Sequence, residues 1–158
     1  MKKIFFSGLI FVFMVSHTAY ALAGWTLINE FVQPLIPSAN SEDLGHVIYR
    51  TYEKKSPQET LEIILAEGKG IGNLYVPEHV KNSKGLMPAS EYKILEVGGK
   101  KAIFEKQPYL PSALAVAVDD NIILNLESSS LNEKDLISIA EEILSSWKNM
   151  KSDLFPVP

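Results

Sequence analysis

The sequence predicts an α+β fold: a twisted antiparallel sheet, built as a meander of hairpins and packed by a C-terminal amphipathic helix. Three observations carry this. Gly98-Gly99 separates two strand-like runs, and Asp119-Asp120-Asn121 separates two more. Leu136, Ile139, Ala140, Ile143, Leu144 and Trp147 then recur at the spacing of one α-helical face. The 158 residues, 46% hydrophobic and 22% charged, suffice for a single domain with its own core and are too apolar for disorder throughout.

The N-terminus reads as an address. Lys2 and Lys3 precede the almost wholly apolar run Ile4 to Val15, which is shorter than the roughly 20 residues a membrane-spanning helix needs. Ala19-Tyr20-Ala21 matches the small-x-small pattern before a signal-peptide cut, and Ala21-Leu22-Ala23 offers a second site. The expected organisation is a signal peptide over 1–21, cut after Ala21 or Ala23, one globular domain over 24–150, and a frayed tail over 151–158. A retained leader would instead make the chain a membrane-tethered envelope sensor. There is no cysteine, which excludes disulfides, thiolate chemistry and lipid attachment at cysteine.

Taken in order, Trp25, Leu27, Ile28, Phe31 and Val32 suit a short amphipathic helix ended by Pro34 and Pro37, with a strand as the alternative. Residues 38–43 form a polar linker. Val47 to Tyr52, β-branched and aromatic, reads as a strand, and so does Thr60 to Ala66 after Ser56-Pro57, with a helix as the alternative for the latter. Gly68 to Gly72 breaks the second of these, and 82–89 is loop. Tyr92 to Val97 and Lys100 to Lys106 flank the two glycines of a primed hairpin turn. Gln107 to Ser112, with Pro108 and Pro111, must be a loop. Leu114 to Val118 and Ile122 to Glu127 form a second hairpin around a three-residue turn. Ser130, with Glu133 three residues later, marks a capping box at the start of the final helix.

Few residues suggest chemistry. Glu78 and His79, with Asp119 or Asp120, would make a metal or acid–base cluster for a hydrolase if the fold gathered them. Separate surface residues are the plainer reading, since no H-x-x-x-H or H-E-x-x-H spacing exists. His46 stands alone before a strand. Gly68-Lys69-Gly70-Ile71-Gly72 resembles a phosphate-cradling loop but matches neither the P-loop nor the dinucleotide pattern. Asp119-Asp120-Asn121 offers oxygen ligands for calcium, yet three consecutive residues in a tight turn cannot converge on one ion. Ser128-Ser129-Ser130 lacks a nucleophile elbow. No catalytic residue, metal site or cofactor is therefore expected.

The best candidate for contact with a ligand or partner is the loop bearing Tyr109 and Leu110, with Tyr92 and Tyr75 nearby. Exposed proline and tyrosine lose little freedom on binding. Alternatively, Tyr109 and Leu110 close the edge of the core. The net charge of −4, made more acidic by loss of Lys2 and Lys3, argues against nucleic acid, which calls for a basic stripe.

The stretches Ile94 to Lys106, Leu114 to Glu127 and Asp135-Leu-Ile-Ser-Ile-Ala-Glu-Glu-Ile143 carry a resemblance. Over residues 92–146 the chain resembles an uncharacterised extracytoplasmic domain of bacterial anti-sigma-factor-like membrane proteins. That resemblance implies an α+β extracytoplasmic domain and supplies no site residues. The chain departs from the pattern in carrying a cleavable leader where that family has a transmembrane helix after a cytoplasmic domain. The expectation is a periplasmic or secreted, non-enzymatic binding or accessory domain of the envelope. Its partner would be an envelope protein or a small ligand, with no membrane contact once the leader is gone.

Overall fold

The computed structural model describes residues 22–34, 45–74, 91–106 and 108–154. Among the described residues seven strands form one open antiparallel sheet: β1 (Thr26–Pro34), β2 (His46–Lys55), β3 (Gln58–Glu67), β4 (Glu91–Val97), β5 (Lys100–Lys106), β6 (Ser112–Asp119) and β7 (Ile122–Ser128). The C-terminal helix, α1 (Glu133–Leu154), packs on one face and continues past the expected domain end at 150. The spatial order is β1-β2-β3-β7-β6-β5-β4. Two meanders, one of three strands and one of four, thus meet at a central β3–β7 seam, where Ile64 pairs with Asn125.

The sheet's two faces follow from alternation along each strand. Leu61, Ile63 and Leu65 of β3 point inward beside Leu124 and Leu126 of β7, and Leu114, Val116 and Val118 of β6 continue the layer. Leu136, Ala140 and Ile143 of α1 lie on this face, each buried. Full burial of one such leucine contributes about 1.5–3 kcal/mol. The primed turn is as expected: Gly98 and Gly99 have φ of 56° and 74°, a conformation that other residues rarely adopt.

Three local expectations need correction. The segment from Trp25 is not a helix but the edge strand β1, irregular between Leu27 and Asn29. An edge strand has a neighbour on one side only, so Ile28, Phe31 and Val32 are all exposed and leave no strict alternation to read. The β6–β7 turn holds two residues, not three, because Asp119 pairs with Ile122 across a register shift after Ala117. The helix cap lies two residues beyond Ser130. Asn132 Oδ1 accepts from the amides of Lys134 and Asp135, and Asp135 Oδ2 accepts from the Asn132 amide. This is a capping box in which asparagine and aspartate do the work expected of serine and glutamate.

The inner face also buries the charged side chain of Arg50. The Arg50 side chain is 2% exposed, and its Nε lies 2.5 Å from Glu30 Oε2 on β1. A buried guanidinium requires such a partner, and the pair fixes the edge strand to the sheet.

Candidate functional site

The two ends of the sheet divide the candidate residues between them. At one end the glycine-rich segment clasps the β6–β7 turn. The Gly68 amide donates to the Asn121 carbonyl at 2.9 Å, Gly70 to Asn121 Oδ1 at 3.0 Å, and Gly72 to the Asp120 carbonyl at 3.0 Å. Asp119 Oδ1 accepts from the Asn121 amide at 2.8 Å, and Lys101 Nζ donates to the Leu74 carbonyl. The backbone amides that would cradle a phosphate are thus committed to the turn. One oxygen of the Asp119 carboxylate likewise accepts within the turn. Gly72 has no alternative, since a Cβ there would stand 1.8 Å from the Asp119 carbonyl oxygen.

At the other end lie the residues 108–111, the connector from Ser128 to Asn132, and the β2–β3 turn. Tyr109 is 96% exposed and Leu110 54%, so neither closes the core. Pro111 and Ser112 lead from this loop into two hollows on opposite faces of the sheet, which share Ser129 and Ser130 at their rim. The outer hollow, about 260 Å³, is lined by Thr60, Glu62 and Glu127. The inner one, about 620 Å³, is lined by Lys93, Phe104 and Lys106, with the start of α1 as its far wall.

Ser128 lies between the two and is buried. Its hydroxyl donates to the Thr60 carbonyl at 2.6 Å, while Oγ accepts from the amides of Ser130 and Leu131 at 3.2 Å each. Its proton is given to a carbonyl, and among the described residues its hydrogen-bond partners include no base to activate it as a nucleophile. Lys93 Nζ pairs with Glu133 and stands 5.8 Å from the Phe104 ring centre. The hydrogen bond that Lys93 donates to the Glu133 carboxylate holds it above the usual lysine range, with the Coulomb pull of Glu133 and Glu91 adding to it against the cost of desolvation.

Tyr92 does not join this inner hollow. Glu91 and Lys93 line it, so the residue between them turns to the opposite face, where Tyr92 pairs across the strands with Glu105. Burial, then the hydrogen bond and charge of Glu105, push the Tyr92 phenol up to about 12. Tyr75, Glu78 and His79 lie outside the described residues. His46 Nδ1 lies 3.8 Å from Glu67 at the clasped end, remote from the loop. Among the described residues no group of three histidine, aspartate or glutamate side chains is placed to hold a metal.

No protein-family model, curated protein or solved structure matches this chain. Among the described residues no helix is long and apolar enough to cross a membrane.

Sequence reading passed over the inner hollow, although a signal for it existed. Val97 and Leu95 point inward, and the same phase continues into Lys93 and Glu91. An inward-facing register that turns charged at one end of a strand marks where the core gives way to a polar concavity.

Proposed function

We propose that the chain is exported by its N-terminal segment and works in the periplasm or outside the cell as a non-enzymatic binding or accessory domain of the envelope. It engages its partner through the loop at Tyr109 and Leu110. The observation that carries this reading is the 96% exposure of Tyr109 beside the half-exposed Leu110. A tyrosine held clear of the fold contributes little to stability, whereas on contact it offers a large apolar ring and a hydroxyl with few rotatable bonds. Pro108 and Pro111 flank the pair and restrict the loop before binding, which lowers the entropy lost on contact. The engagement of the Ser128 hydroxyl by the Thr60 carbonyl supports a role in binding over one as a serine nucleophile.

The test is affinity capture from envelope extracts with the wild-type chain and with Tyr109→Ala, both checked for equal thermal stability. A protein retained by the wild type and lost by the variant supports the reading. The same protein captured equally by both removes the loop from it.

A further inference from the structure

The four residues that open the described chain are built into the fold. Leu22 is 2% exposed and belongs to the hydrophobic core beside Trp25 and Leu27. Its carbonyl accepts the Trp25 amide at 3.0 Å, and Gly24 between them has φ of 79°. A hydrogen bond from the fourth residue to the first, with positive φ at the third, is the arrangement of a type II turn, and it explains glycine at position 24. No heavy atom stands within 4 Å of where a Gly24 Cβ would be, so backbone conformation alone, not crowding, sets the requirement. The Ala23 amide faces Glu142 Oε1 of α1 at 3.5 Å.

The sequence offers two leader cuts that differ by these residues. We infer that cleavage falls between Ala21 and Leu22, and that the new N-terminal leucine is a core residue which closes the domain behind the cut. This rests on the reading of residues 1–21 as an export leader. Hydrolysis breaks the Ala21–Leu22 peptide bond with one water, leaving a carboxylate on Ala21 and an ammonium on Leu22. That ammonium arises one residue from the Ala23 amide that faces the Glu142 carboxylate, so the charge created by the cut has an acid nearby. Cleavage after Ala23 would delete the first two residues of the turn, and with them the core side chain of Leu22 and the Ala23 amide facing Glu142. Small residues at the cleavage positions permit both cuts; only the earlier one leaves the turn and the core intact.

The experiment is N-terminal sequencing and intact mass of the product exported from the full-length precursor, followed by thermal unfolding of that product beside its Leu22→Asn counterpart. The expected start is Leu22, and the polar variant is expected to melt lower by about 5–15 °C. A product that begins at Gly24 overturns the inference and leaves export standing. A product that retains Met1 overturns the inference and the export reading together. Equal melting temperatures for the two products overturn the role of Leu22 in the core.

Discussion

The two ends of the sheet carry similar kinds of residue and use them in opposite ways. At the clasped end, glycines, aspartates and an asparagine spend their donors and acceptors on one another. At the other end, Ser128 is spent in the same way, but Tyr109 and Leu110 stand in solvent and Lys93 and Lys106 line a hollow. Residue types that suggest chemistry in the sequence are therefore poor guides until their partners are known. The surface left over after the fold has taken its share is the better one.

The contrast can be tested from its strongest contact to its weakest. Gly72→Ala should cost at least about 3 kcal/mol in denaturant unfolding, because the new Cβ would meet the Asp119 and Asp120 backbone, which has no flexible end to move aside. Retained stability would show that the clasp is loose. Ser128→Ala should cost about 2 kcal/mol by the same measurement, since it strips a partner from the Thr60 carbonyl and from two amides. A neutral outcome would mean that water replaces the hydroxyl.

Tyr92→Phe should cost about 1 kcal/mol at neutral pH through loss of the bond to Glu105. Its pH dependence has a definite sign. The folded phenol titrates near 12 and the unfolded one near 10, so the wild-type contribution is complete below pH 10 and is lost as pH rises through 12. Melting curves from pH 9 to 12 should therefore converge for the two proteins; parallel curves would refute the raised value. Tyr109→Ala should leave stability within about 0.5 kcal/mol, since nothing packs on an almost fully exposed ring. A larger loss would place the loop inside the fold and remove the contrast.

Much of the architecture was legible because it is written in local pattern. Positive φ at Gly98 and Gly99 follows from the turn they form, and the inward face of α1 follows from its 3.6-residue period. The β1 segment was not legible, because an irregular edge strand exposed on several sides imitates helical spacing. The cap was misplaced because Ser130-x-x-Glu133 has the residue types of the rule, whereas Asn132-x-x-Asp135, which forms the box, ends in aspartate in place of glutamate or glutamine. The pairing of β3 with β7 has no local signature, since nothing near Ile64 names Asn125 as its neighbour. For the site, exposure of Tyr109 could be suggested by its prolines, but the separation of Tyr92 from it depended on strand phase.

The β3–β7 seam also sets the order in which the protein can be completed. Its first meander ends at Glu67, yet the strand that covers β3 begins only at Ile122. Until synthesis has passed that hairpin, Leu61, Ile63 and Leu65 lie on an open edge without β7 beside them. Closing so long a stretch of chain is slow compared with forming either meander alone. A nascent polypeptide of this design stays unlocked through most of its length and becomes resistant to unfolding late, when the residues from Ile122 onward arrive.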